Sequence, residues 1–216
     1  MFWYVSAALG AYMLGSIPFG LLVSKALGEK DPRTAGSKNI GFTNVMRVSG
    51  KKAGILTLLG DIGKGLAATV IAQMLGAPRI WVLLIGFTVV LGHIFSMFLS
   101  LKGGKGVATA LGSVLGIEPA LGGCLFGIWI GAVMMFRYSS GGALAAFLGF
   151  PILAFLFKED SHLVFFSLGI LHSYLSKPQF LIYNQKQKLD LIHIQDNKNK
   201  CRDVEQIQFP STSYKF

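Results

Sequence analysis

Residues 2–27 carry a single charge, Lys25, and a run of that length crosses the roughly 30 Å hydrocarbon core of a bilayer as a helix. The run is too long for a cleaved signal peptide and lacks a basic start, so it reads as a retained helix. Further apolar runs follow it. Together they predict helices over 3–26, 54–76, 79–99, 104–117, 119–136, 141–157 and 161–176. The fourth is short for a span and reads as tilted, broken or continued into the glycine-rich stretch before it. Only 14% of the 216 residues are charged and mean hydropathy is +0.57, too little polar surface to clothe a soluble domain of this size. The expected fold is an all-α polytopic membrane protein of about seven transmembrane helices. It occupies residues 1–183, and a polar tail, 184–216, follows. The tail's Lys, Asn, Gln and Asp content predicts a mobile segment.

The net charge of +10 is spread over short loops, not gathered on one patch. That argues for membrane topology and phosphate-bearing substrates, and against nucleic acid as a partner. Lys30, Arg33, Lys38, Arg47, Lys51 and Lys52 fall in the first loop, 28–53. The 100–105 loop, the Arg137 turn and the tail share its side. The opposite side holds only Arg79 and Lys158, with Glu118, Glu159 and Asp160. Counting lysine and arginine in short loops places the first set in the cytoplasm and the N-terminus outside. Cys124 and Cys201 form no disulfide framework. His93, His162, His172 and His193 are too scattered for a metal, so no metal site is expected.

All the polar motifs fall on the cytoplasmic side. Leu101-Lys102-Gly103-Gly104-Lys105-Gly106-Val107-Ala108-Thr109 joins two apolar runs. Glycines let a backbone approach a ligand and turn its N–H groups toward it, lysines add positive charge, and a following helix points its positive end at the same place. The spacing is not that of a nucleotide-binding Gly-x-x-x-x-Gly-Lys-Ser/Thr loop, so an ATPase is unsupported. In the first loop Ser37, Asn39, Thr43, Asn44 and Arg47 lie within eleven residues, and the arginine fork suits phosphate oxygens. Asp61 and Lys64 share a helix face inside an apolar run. There they either face a polar cavity, with Asp61 orienting a cation, or neutralise each other. His93 reads as a structural hydrogen-bonding residue. Ser139 and Ser140 precede a helix, where free N–H groups cap or bind an oxyanion.

The order and spacing of these stretches resemble the bacterial integral-membrane acyl-phosphate:glycerol-3-phosphate acyltransferases. The stretches that carry the likeness are Gly15-Ser16-Ile17-Pro18-Phe19-Gly20, Gly36-Ser37-x-Asn39-Ile40-Gly41-x-Thr43-Asn44 with Arg47, Asp61-x-x-Lys64-Gly65, Gly92-His93-x-Phe95 and the glycine-lysine loop. The likeness covers roughly residues 5–157. It implies a seven-helix enzyme of the bacterial inner membrane with its site at the cytoplasmic face. It implies transfer of an acyl group from fatty acyl phosphate to the 1-hydroxyl of glycerol 3-phosphate, giving 1-acylglycerol 3-phosphate (lysophosphatidic acid) and phosphate. This is the first acylation of phospholipid synthesis. No metal or cofactor is expected; the partners are the two substrates, membrane lipid and the enzyme that produces the acyl phosphate.

Under that likeness Ser37, Arg47 and Lys105 are the expected catalytic residues. Asn39, Thr43, Asn44, Lys102, Gly103, Gly104, Gly106, Ser139 and Ser140 would bind substrate, with Asp61, Lys64, His93 and His172 in support. Three departures stand out. Lys38 occupies a position where the family usually has glycine, and Ser96 one where it has proline. The family's basic His-Arg-x-Asn segment after the last helix reads Leu171-His172-Ser173-Tyr174-Leu175 here, with Leu175 in the asparagine's place. Two alternatives therefore stand beside the enzyme reading: a membrane transporter for an organic phosphate, and an inactive relative.

Overall fold

The structure, a computed structural model, describes residues 2–136, 139–157 and 159–176. The Arg137 turn, Lys158 and the tail over 184–216 lie outside the described residues. Among the described residues all regular structure is helical. The helices are α1 (Phe2–Ser16), α2 (Phe19–Ala26), α3 (Phe42–Val48), α4 (Lys51–Met74), α5 (Arg79–Ile94), α6 (Val107–Ile117), α7 (Pro119–Phe136), α8 (Ser139–Leu156) and α9 (Ser161–Leu175). A single 3-10 turn, Met97–Leu99, follows α5. Three stretches are long and apolar enough to span a bilayer: Lys51–Met74, Arg79–Leu99 and Ser139–Leu156. The α1–α2 pair passes the same test as one bent unit, and α6, α7 and α9 are shorter apolar helices. With its 11 residues α6 is about 16 Å long, near half the hydrocarbon thickness.

Two expectations need correction. The first helix is not continuous over 3–26: it breaks between Ser16 and Phe19, and the two halves meet at 44°. Pro18 is the cause. It has no N–H to donate, its ring clashes with the preceding turn, and it disfavours helical geometry at Ile17. Carbonyls freed inside an apolar protein need new donors, and both find them. Ser96 Oγ donates to Ser16 O at 2.6 Å, and Lys64 Nζ donates to Ile17 O at 3.1 Å. The second correction concerns the first loop, which contains the short helix α3.

Small residues set the helix spacing. A Cβ on Gly65 would sit 2.1 Å from Thr109 O, and one on Gly112 would sit 2.1 Å from Ile62 O, so α4 and α6 touch backbone to backbone. Gln73 Nε2 adds a bond to Gly116 O at 2.8 Å. Gly15 and Gly92 bring α1 and α5 equally close. Around α9 the packing is aromatic: Phe166 meets Phe87 and Phe150 edge-on, and Phe147 meets Tyr174.

Ion pairs bring three of the connections together. At one end Arg79 (α5 start) pairs with Glu118 between α6 and α7, and with Glu159 and Asp160 between α8 and α9. The α5–α6 connection, with the glycine-lysine loop, and the starts of α4 and α8 lie at the far ends of these helices, while Asp61 and Lys64 sit inside α4.

Candidate functional site

The first loop is built around Asn44. Its side chain is 3% exposed. Nδ2 donates to Pro32 O at 2.7 Å and to Asn39 O at 2.8 Å, while Oδ1 accepts the Ser37 N–H at 2.9 Å. Asn39, also buried, accepts the Gly41 N–H at 2.8 Å. Ser49 Oγ donates to Lys30 O at 2.7 Å and closes the far side of the loop. The two asparagines thus hold the loop's shape through backbone groups. Ser37 and Thr43 are half-buried and Arg47 is exposed. Thr43 and Arg47 share one face of α3, one turn apart. Asp31 sits against Arg33 at 2.6 Å, and the guanidinium hydrogen bond holds its carboxyl below the usual range. The Ile40 carbonyl seats the loop on Gly20 of α2, and Met46 seats it on Gly54 of α4, each at distances that leave no room for a Cβ.

The glycine-lysine loop folds back on the end of α5. Gly103 N donates to Ile94 O at 3.1 Å and Gly104 N to His93 O at 3.0 Å. A Cβ at position 103 would lie 2.0 Å from His93 O, and one at 104 would lie 2.1 Å from His93 Nε2. Both glycines are therefore required by close approach. Gly106 is required by conformation: it caps α6 with φ +81°. α6 begins after Gly106, so the loop remains irregular through Lys105. Lys102 is exposed, whereas Lys105 is half-buried, and burial pushes the Lys105 ammonium below its ordinary pKa.

Asp61, Lys64 and His93 form one buried cluster, which the sequence suggested for the first two only. Lys64 Nζ is 2.9 Å from Asp61 Oδ1, and His93 Nδ1 is 3.3 Å from the same oxygen. The opposite edge of the imidazole, Nε2, rests against Gly104. A line of contacts therefore runs from the Ile17 carbonyl at the α1–α2 break, through Lys64, Asp61 and His93, to the glycine loop. The Lys64 ammonium also lies 5.8 Å from the Phe19 ring centre.

Ser139 and Ser140 open α8 and are half-buried. Tyr174 of α9 donates to Ser140 O at 3.0 Å, which ties the end of α9 to the start of α8. His172 is exposed on the last turn of α9. Among the described residues no group of three or more His, Cys, Asp or Glu could hold a metal ion.

Known proteins resemble this chain in sequence and in fold. The family described as glycerol-3-phosphate acyltransferase matches residues 5–188, farther toward the C-terminus than the motifs alone carry the likeness. The glycerol-3-phosphate acyltransferase of Geotalea daltonii is 46% identical over 162 residues, which cover 75% of this chain and 83% of that protein. That of Methylococcus capsulatus is 41% identical over 183 residues, covering 83% and 92%. Among solved structures, the integral membrane glycerol 3-phosphate acyltransferase PlsY in its glycerol 3-phosphate form has a TM-score of 0.79 at 33% identity, covering 86% of this chain and 92% of that one. Its lysophosphatidic acid form gives 0.73 at 32% identity, covering 88% and 92%.

Proposed function

The chain belongs to the glycerol-3-phosphate acyltransferase family, and on that premise we propose that it acylates the 1-hydroxyl of glycerol 3-phosphate from a fatty acyl phosphate. The products are lysophosphatidic acid and inorganic phosphate. The observation that carries the reading is the glycine loop: its backbone is pinned to α5, and it presents Lys105 beside an 11-residue helix N-terminus. A helix N-terminus with free N–H groups and a lysine suits a phosphate. One PlsY structure similar to this chain is a glycerol 3-phosphate form, which supports the same occupant.

In this reading the phosphate of glycerol 3-phosphate is held at Gly106 and the start of α6, with Lys102 at its rim, while Gly103 and Gly104, whose own N–H groups are taken by α5 carbonyls, fix the loop in place. Arg47 and Lys105 neutralise charge between the two substrates. Ser37 and Thr43 orient the acceptor hydroxyl, and Asn39 and Asn44 hold the loop that carries them. Ser139 and Ser140 bind the phosphate end of the donor at the start of α8. Asp61, Lys64 and His93 position the glycine loop, and His172 supports the site from the end of α9. The acyl chain lies among the helices.

The acceptor oxygen bonds to the acyl carbon and the acyl carbon–oxygen bond to phosphate breaks. The leaving phosphate takes the hydroxyl proton. An acyl phosphate is an activated mixed anhydride, so positioning and charge stabilisation suffice without an acyl-enzyme. The basic first loop supports a cytoplasmic site, an external N-terminus and seven spans in the inner membrane. A labile acyl phosphate also favours direct supply from the enzyme that makes it.

Purified protein in detergent, given palmitoyl phosphate and labelled glycerol 3-phosphate, should yield labelled lysophosphatidic acid. Palmitoyl-CoA should not replace the donor, and Lys105→Ala should abolish product. Absence of product from the wild-type chain would instead favour the inactive-relative reading, which rests on Leu175 replacing the family's asparagine.

A further inference from the structure

Trp129 lies mid-way along α7 and is 5% exposed. Its Nε1 is a donor only, and a buried indole N–H ordinarily finds an acceptor. Here Nε1 is closed off from solvent and has no acceptor among the described residues. An orphaned buried donor in a native protein calls for a physical reason, such as a role in catalysis or an acceptor supplied from outside the chain.

The surroundings of the ring narrow the choice. It meets Phe42, the first residue of α3, edge-on at 5.7 Å between centroids. Phe126 flanks it at the same distance. The Cδ1 atom, which is bonded to Nε1, lies 3.3 Å from the place a Cβ on Gly142 would take. Gly142 belongs to the first turn of α8, where the N–H groups of Ser139, Ser140 and Gly141 lack intrahelical acceptors. The N–H edge of the indole therefore runs along a helix N-terminus already rich in donors. Through Phe42 the same ring abuts the helix that carries Thr43 and Arg47. α7 itself carries no charged residue.

We infer that Trp129 is a further donor-binding residue, its indole N–H donating to an oxygen of the acyl phosphate held at the start of α8. The inference rests on the placement of the donor at Ser139 and Ser140 proposed above. A tryptophan suits the position because one face of the site is apolar, against Phe42 and Phe126, while the ligand's head is polar. Phenylalanine would fill the same space and supply no N–H.

The test compares wild type with Trp129→Phe in steady-state kinetics, varying palmitoyl phosphate and glycerol 3-phosphate separately. The expected result is a loss of about tenfold in kcat/KM for palmitoyl phosphate, the size of one hydrogen bond to a charged group. KM for glycerol 3-phosphate should not change. A purely structural tryptophan would shift both substrates together, or neither, and either pattern overturns the inference. A second measurement does not depend on that variant folding. The chain has three tryptophans, so Trp3→Phe with Trp81→Phe leaves Trp129 as the sole indole. Its emission should change on addition of a non-hydrolysable palmitoyl phosphonate and not on addition of glycerol 3-phosphate; an unresponsive emission counts against the inference. Ser140→Ala separates the two layers of argument, through its side chain's share of donor binding. If Ser140→Ala raises the donor KM while Trp129→Phe does not, the α8 assignment stands and the indole's role falls. If wild type makes no product, both fall.

Discussion

Lys38 sits at φ +55°, in the left-handed region where a Cβ is strained. It is the position at which the family usually carries glycine, and the structure supplies the reason for that preference. Lys38→Gly should relieve about 1 kcal/mol of local strain, partly offset by the greater freedom of glycine in the unfolded chain. A rise in melting temperature of a few degrees in detergent would support this, and a fall would refute it. Lys105 gives a prediction in pH. Burial lowers its pKa, so the free enzyme loses the ammonium as pH rises, earlier than an ordinary lysine would. On the proposal that the charged form binds phosphate, KM for glycerol 3-phosphate should climb on the alkaline side. Lys105→Arg keeps its charge over that range and should flatten the climb, whatever it does to the absolute rate. Neither effect was visible in the sequence alone, since both depend on backbone angle and burial. Asn44 shows the same limit. Its residue type and place in the loop mark it as a hydrogen-bonding group, but only the fold shows that the loop backbone takes both ends of its amide.

At the scale of elements, periodicity locates the apolar helices well and their interruptions badly. Residues on both sides of Pro18 are equally apolar, so a hydropathy pattern runs straight through a break that proline chemistry imposes. α3 is too short for a pattern to stand out, although Phe42, Val45 and Val48 repeat every three residues. The pairing of His93 with Asp61 joins residues thirty-two apart in sequence on consecutive helices, and no local signal announces it. Its consequence is mechanical. A Cβ at Gly104 would overlap His93 Nε2, so Gly104→Ala must displace either the imidazole or the loop. KM for glycerol 3-phosphate should rise at least about tenfold, the loss of roughly one charge-assisted hydrogen bond, with the acyl phosphate KM little altered. Equal effects on both substrates would show that the loop does not serve the acceptor. Asp61→Asn removes the carboxylate from a buried cation and should destabilise the protein by about 3–5 kcal/mol. Thermal unfolding would read that loss directly, and a near-native melting temperature would mean that Lys64 is neutral or finds another partner.

Among the described residues the loop charges outside the buried Asp61–Lys64 pair fall into two sets. One gathers Arg47, Lys102 and Lys105 with the polar loops; the other closes on Arg79 and its three carboxylates. The sequence already separated these sets by counting lysines and arginines, because loop charge governs insertion and is local information. It could not show that Glu118, Glu159 and Asp160 converge on one guanidinium, which follows from the packing of α5 to α9. The separation makes orientation testable without reference to activity. In a background where Cys124 and Cys201 are replaced by serine, Lys38→Cys and Glu159→Cys each place one thiol at an opposite end. A membrane-impermeant maleimide applied to spheroplasts should label the cysteine at 159 at once. The cysteine at 38 should react only after the membrane is opened. The reverse pattern would put the glycine loop outside, away from any cytoplasmic supply of acyl phosphate, and the assignment of a cytoplasmic acyltransferase site would fail even if the purified protein were active. Labelling of both thiols in sealed cells would mean that the helices between them do not cross an odd number of times. That would remove the seven-span arrangement, in which α4 to α8 make five crossings between Lys38 and Glu159, the 11-residue α6 among them.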